Sequence, residues 1–204
     1  MKENLLIVFA KNKIKGKAKT RLAKSIGQDG ADEVYTYLYH LTERESEGVS
    51  NADVQVHFSN FDDLDAWGNS EHFLQAGETL GDRMKGAFLE GFERGYKRII
   101  GIGADLPDIN SELLSKAFEI LKNNDFIFGP AADGGYYLIG LQSKENLFVF
   151  DNKPWSTDAL LKVTVEEVRS KNKSLSKLPE KNDIDTLEDL RGSNIADLFS
   201  HLYS

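Results

Sequence analysis

Cysteine is absent from this chain of 204 residues, which excludes disulfides, thiolate nucleophiles and zinc–thiolate centres. Positive charge is in deficit: 25 Lys and Arg stand against 33 Asp and Glu, leaving a net charge of −8 and a pI near 5.1. A balance of that sign argues against a general affinity for nucleic acid. The N-terminal apolar stretch, residues 5–10, is too short for a bilayer and lacks a small-residue cleavage site. It is therefore read as a strand, and the protein as cytoplasmic with no membrane insertion. Other signatures are missing as well. His40, His57, His72 and His201 have no metal-ligand spacing. Asp62, Asp63 and Asp65 lack the glycine and distal glutamate of an EF-hand loop. No G-x-S-x-G elbow supports acyl transfer. Gly101-Ile102-Gly103 is followed by Leu106-Pro107 and no helix opens there, so NAD binding is not expected.

What is present is an ordinary globular composition, 40% hydrophobic and 28% charged, in a regular alternation of strand-like and helix-like segments. Residues 5–10 form a continuous apolar run of the kind buried on both faces of a parallel sheet. Alternating Val54, Val56 and Phe58 predict a strand over 53–59, and residues 72–76, 98–103, 126–129 and 136–141 read as further strands. Helices are expected over 30–48, 81–95, 111–123 (capped by Ser111), 156–170 and within 186–203. No repeat, linker or low-complexity segment interrupts the pattern. It predicts one α/β domain over residues 1–204, a three-layer sandwich on a mainly parallel sheet.

Three places carry candidate chemistry. Between positions 11 and 24 stand Lys11, Lys13, Lys15, Lys17, Lys19, Arg21 and Lys24 without a single acid, and Gly16 sits among them. A basic βα loop running into a helix N-terminus is a natural anion site, although a lysine run can also be a solvated face. Arg21 could clamp two phosphate oxygens where Lys19 acts as a point charge, and no complete Walker A motif is formed. The strand at 98–103 then delivers one carboxylate in Gly103-Ala104-Asp105-Leu106-Pro107, where a parallel sheet places its ligands. Asp105 is a candidate cation ligand or, alternatively, a turn residue before Pro107. In Asp133-Gly134-Gly135 the glycines could admit a ligand or make a hairpin turn. Asn182-Asp183-Ile184-Asp185-Thr186-Leu187-Glu188-Asp189 adds acids that could serve the site or begin a helix. Trp155 could line a pocket or staple the helix that follows it.

Taken together these residues resemble a family. Phe9-Ala10-Lys11-Asn12, Gly16 and Lys19-Thr20-Arg21-Leu22-Ala23 look like the opening motif of a bacterial group of glycosyltransferase A-fold proteins. That group is described as molybdenum-cofactor-guanylyltransferase-like, or as the transferase of radical-enzyme and arsenosugar-biosynthesis clusters. The likeness continues through Leu80-Gly81-Asp82-Arg83-Met84, Gly103-Ala104-Asp105, Gly129 to Leu141, Trp155-Ser156-Thr157 and Asp183 to Leu190, in order along the chain.

The resemblance implies a nucleotide-diphospho-sugar transferase fold and a metal-dependent transfer from a nucleotide-activated donor, with Mg²⁺ or Mn²⁺ as cofactor. It places the metal on Asp105, Asp185 and Asp183, and the donor near Phe9, Ala10, Lys11, Gly16, Lys19, Arg21, Gly81, Arg83, Ala104, Gly134 and Gly135. Asp133, Lys19 and Arg21 are the implied catalytic residues, Asp133 orienting an acceptor hydroxyl. The superfamily's frequent D-x-D pair is reduced here to Asp105. Glycosyl transfer from a nucleoside-diphosphate sugar to a small acceptor is the first expectation. Nucleotidyl transfer to a phosphorylated small molecule is the second, and a non-catalytic nucleotide sensor the third. A homodimer is compatible with all three.

Overall fold

A computed structural model describes residues 2–10, 19–59, 67–68 and 70–203. Among these residues seven strands make one mixed sheet: β1 (Asn4–Ala10), β2 (Ala52–Phe58), β3 (Glu71–Leu74), β4 (Arg98–Gly103), β5 (Phe126–Pro130), β6 (Tyr136–Leu141) and β7 (Leu175–Lys177). Their spatial order is β3-β2-β1-β4-β6-β5-β7. β1 lies parallel to both β2 and β4, and β6 alone runs antiparallel to its neighbours. The expected α/β architecture on a mainly parallel sheet is therefore the one observed.

Among the described residues five helices pack on the sheet or its flank: α1 (Thr20–Glu47), α2 (Leu80–Glu93), α3 (Ser111–Leu121), α4 (Leu160–Ser170) and α5 (Leu187–Gly192). Alternate residues of β1 explain the layering. Leu6 and Val8 face one core with Tyr35 and Tyr39 of α1 and Leu114 and Phe118 of α3. Leu5 and Ile7 face the opposite core with Met84 and Phe88 of α2 and Val165 and Val168 of α4. A strand covered on both sides must be apolar at every position, which is why residues 5–10 show no alternation. A third cluster joins Leu22, Val34 and Leu38 of α1 to Ile184, Leu190 and Phe199, and so fastens the C-terminal segment beside the first helix.

Several boundaries differ from expectation for local reasons. The helix predicted over 30–48 begins at Thr20 and is broken at Gly27, whose φ of 77° and ψ of 163° are not helical. Asn110, not Ser111, caps α3, its side chain accepting from the Leu113 N–H at 2.8 Å. The helix expected from 156 starts at Leu160, and the 186–203 region divides into α5 and a 3-10 helix over Ala196–Leu202. β7 and the 3-10 helix Lys144–Phe150 were not anticipated. β7 has three residues, too few to carry a period. Among the described residues no helix is long and apolar enough to cross a membrane.

Candidate active site

Pairing registers align the carboxyl ends of the central strands, with Phe9 of β1 opposite both His57 of β2 and Gly103 of β4. From β1 the chain goes on to β2 in one direction along the sheet and from β4 to β5 in the other, the reversal of strand order at which open α/β sheets bind ligands. Three segments converge there. Lys19 precedes α1 in the left-handed region (φ 47°, ψ 51°), Asp105 follows β4, and residues 183–185 lead into α5. A backbone bond from Ile184 N–H to the Asp105 carbonyl ties the last two segments together.

Lys19 is the centre of the cluster. Its side chain is only 6% exposed, and Nζ donates to Asp105 Oδ2 at 3.2 Å and Asp185 Oδ1 at 3.3 Å. Burial by itself lowers the pKa of this ammonium, but the carboxylates of Asp105, Asp185 and Asp183 outweigh it and hold the pKa above the ordinary lysine value. Arg21, largely exposed, reaches the other oxygen of Asp185 at 3.1 Å. Asp183 is pushed up to about 6, first by burial and then by the like charge of Asp105, with Lys19 opposing. Among the described residues three carboxylates thus face two cations.

Capping chemistry fixes the acidic segment. Thr186 caps α5, and Asp189 returns the bond, its Oδ2 accepting from the N–H groups of Thr186 and Asp185. Asp189 is therefore the helix-start acid that the sequence suggested, which leaves Asp183 and Asp185 turned toward Lys19. The helix-start alternative thus holds for Asp189, while Asp183 and Asp185 stand beside Lys19.

The donor set suits a hard divalent cation such as Mg²⁺ or Mn²⁺, being made of carboxylate oxygens with no thiolate or imidazole. Among the described residues no group of three His, Cys, Asp or Glu stands in metal-ligand geometry. Magnesium commonly takes one or two carboxylates and completes its shell with phosphate and water, so a preformed cage is not required. The pressure among the three acids, visible in Asp183, is what a divalent cation would relieve.

Other expected site residues are placed differently. Asp133 is exposed, and its Oδ1 accepts from the Gly135 N–H at 2.8 Å. This is the hairpin-turn alternative. Gly134 (φ 88°) has the Asp158 carbonyl oxygen 2.2 Å from where its Cβ would be. Its absence of side chain serves the packing of the turn on the segment before α4. Gly81 likewise lies beneath Trp155, whose indole nitrogen is 2.6 Å from its Cβ position. Arg83 Nε donates to the Gly77 carbonyl at 3.0 Å. Ala104 is buried in the core, and Ala10 is buried with its carbonyl accepting from Ser59 and Gln75. Phe9 stays at the site's edge, 5.6 Å from the His57 ring. Lys11 and Gly16, with Lys13, Lys15, Lys17, Asp62, Asp63 and Asp65, lie outside the described residues.

One feature was missed by sequence reasoning. A cavity of about 230 Å³ opens beside Asp105, walled by Phe9, Met84, Tyr136, Trp155 and Leu160 and floored by Gly103. The Gly101-Ile102-Gly103 pattern carried the signal, because glycines on one face of a strand leave room above it: the Phe88 and Phe9 rings pack over Gly101, and Gly103 beside them forms the cavity floor.

The model of a family described as "Uncharacterized protein conserved in bacteria (DUF2064)" matches residues 45–157, more than half of the chain. The chain belongs to this family. A protein of Desulfovibrio desulfuricans G20, provisionally named a nucleotide-diphospho-sugar transferase, is 31% identical. The match covers 100% of this chain and 99% of that one, with a TM-score of 0.83. The 4-diphosphocytidyl-2C-methyl-D-erythritol synthase of Anaerococcus prevotii DSM 20548 superposes with a TM-score of 0.62 at 12% identity, covering 96% of this chain and 97% of that one. A manganese complex of Rv0371c from Mycobacterium tuberculosis H37Rv gives 0.58 at 14% identity, covering 94% and 97%. No curated protein matches significantly. This member of the DUF2064 family therefore has the nucleotide-diphospho-sugar transferase fold.

Proposed function

We propose that this protein is a metal-dependent transferase that uses a nucleotide-activated donor, and that the reaction is glycosyl transfer from a nucleoside-diphosphate sugar to a small acceptor. The observation that carries the reading is the buried Lys19 ammonium between Asp105 and Asp185 at the carboxyl ends of β1 and β4, with Arg21 beside it. Cations and carboxylates in one crevice suit a diphosphate bound together with a divalent metal, and suit neither ligand alone. The name of the Desulfovibrio desulfuricans G20 protein supports the same class.

Asp105 and Asp185 would hold Mg²⁺ or Mn²⁺, with Asp183 as third carboxylate. Such a cation, when bound, neutralises charge on the leaving diphosphate. Lys19 acts as a second, fixed positive charge in the partly buried site, and its pairing with the acids keeps it protonated at neutral pH. Arg21, at the exposed rim, can take two phosphate oxygens at once. The Asp133 carboxylate, engaged in its own turn, serves an acceptor only if that turn opens.

The test is thermal stability against nucleoside mono-, di- and triphosphates and nucleotide sugars, with Mn²⁺ or EDTA. A ligand at a hundred times its Kd adds about 2.7 kcal/mol, roughly 5–10 °C for a chain of this size. Metal-dependent stabilisation by one diphosphate and its sugar conjugate, lost in Asp105→Asn, is the expected result. Preference for a triphosphate moves the reading to nucleotidyl transfer. Binding that ignores metal, with no turnover, makes the protein a nucleotide sensor.

A further inference from the structure

The carboxylates of the Lys19 cluster reach it from two distant segments, the turn after β4 and the stretch before α5. For a metal shared between them, the relative position of these segments sets the affinity. Among the described residues two polar contacts join the segments directly. One is the bond from the Ile184 N–H to the Asp105 carbonyl, long at 3.5 Å. The other is an ion pair between Lys181 Nζ and Asp108 Oδ2.

The backbone of Lys181 is fixed independently of that pair. Its N–H donates to the Pro130 carbonyl at 3.1 Å, and its carbonyl accepts from the Ala132 N–H at 3.0 Å, which fastens residue 181 to the end of β5. The side chain, 15% exposed, then reaches across to Asp108. Asp108 depends on it. Lys181 is the only hydrogen-bonding partner of this carboxylate among the described residues, and the second oxygen is buried without one. From Asp108 back to Asp105 the chain is short and stiff. Leu106 and Pro107 between them are both buried, and the proline ring fixes one backbone angle. A displacement of Asp108 is therefore passed on to Asp105. In the other direction Asp183 stands two residues beyond Lys181. Ile184 is wholly buried, and the Asp185 N–H is held by Asp189 at 3.2 Å.

We infer that the Asp108–Lys181 pair is the positioning element of the cation site and sets the placement of Asp105 against Asp183 and Asp185. The inference rests on the metal-dependent reading above and adds two residues that are not themselves ligands. Together with the Thr186–Asp189 box, the pair holds the acidic stretch at both its ends. Charge alone predicts the opposite of what positioning predicts. Lys181 is a cation two residues from a proposed metal ligand, so by Coulomb's law its removal should tighten the binding of a second cation. Removal of a group that holds the ligands in place should weaken it.

Mn²⁺ is the probe, and its binding to the full chain is read at neutral pH from the electron paramagnetic resonance of the free ion. Lys181→Met should bind Mn²⁺ about ten- to a hundredfold more weakly than the wild type, the loss typical when a support of a metal ligand is deleted. Lys181→Arg, which can still pair with Asp108, should recover most of the affinity. Lys181→Met also strands the Asp108 carboxylate and should melt lower. Combining it with Asp108→Asn removes the stranded charge. The melting temperature of this double variant in EDTA should return toward that of the wild type while its Mn²⁺ affinity stays low, which separates misplaced ligands from a weakened fold. Affinity that is unchanged or tighter in Lys181→Met, or that returns with the melting temperature in the double variant, overturns the positioning role. A wild type that takes up no Mn²⁺, alone or with ADP, GDP, CDP or UDP, is a different result: the transferase reading fails, and the positioning role falls with it.

Discussion

Asp183 shows in one side chain what the site costs the fold. Its pKa of about 6 lies above the ordinary 3.8, raised by burial and by neighbouring acids. An acid whose pKa is raised on folding favours the fold while protonated. Its contribution is complete below pH 4 and is lost as pH rises through 6. Asp183→Asn should therefore stabilise the metal-free protein at pH 8 by about 1–2 kcal/mol, after allowance for partial exposure, and should give no gain at pH 4. Melting curves in EDTA at the two pH values check this, and an equal gain at both would remove the electrostatic explanation. Lys19 is the complementary case. Lys19→Met leaves three carboxylates without their buried cation, a change that should cost roughly 1–3 kcal/mol at neutral pH. Millimolar Mn²⁺ without nucleotide should restore more of the melting temperature in this variant than it adds to the wild type. If Mn²⁺ shifts both equally, the carboxylates do not share one cation-binding site.

At the scale of elements, the site depends on how helices begin. α1 opens on a left-handed Lys19 with no side-chain cap, whereas α5 opens on a reciprocal Thr186–Asp189 box. The box also gathers the Asp185 N–H, so it holds the acidic segment as well as ending the helix's unpaired donors. Thr186→Ala should cost about 1 kcal/mol of stability. It should also weaken Mn²⁺-dependent nucleotide binding, because residues 183–185 lose their anchor. Calorimetric titration alongside melting curves separates the two effects; unchanged affinity would make the cap purely structural. The β5–β6 hairpin illustrates the opposite relation. Its Asp-Gly-Gly turn looks like ligand-binding loop chemistry, yet Asp133 and Gly134 are engaged in forming the turn and packing it against residue 158.

Over the whole molecule, the α/β class, all but one of the strands and most helices were legible because their causes are local. An apolar run without alternation implies a strand covered on both faces, and three-to-four spacing implies a helix with one buried side. Boundaries shifted where a single bond decides them, as at Asn110, or where a backbone angle does, as at Gly27. β7 could not be read, since three residues owe their strand geometry to the neighbour β5.

The site divides along the same line. Residue type and position after a strand were enough to mark Lys19, Arg21, Asp105 and the acids near 185 as candidates, since charge at a sheet's carboxyl edge is a local property. That Lys19 is the buried partner of both Asp105 and Asp185, 86 and 166 residues away in the chain, was decided by tertiary structure. So were the hydrogen bond of Asp133 to Gly135 within its own turn and the close approach of Trp155 to Gly81. The aromatic cavity was decided there too, because its walls come from five separate elements or turns and no one of them carries a pattern for it. Sequence by itself determined which chemistry this protein can hold. Folding determined which groups meet, because distance and burial depend on segments far apart in the chain.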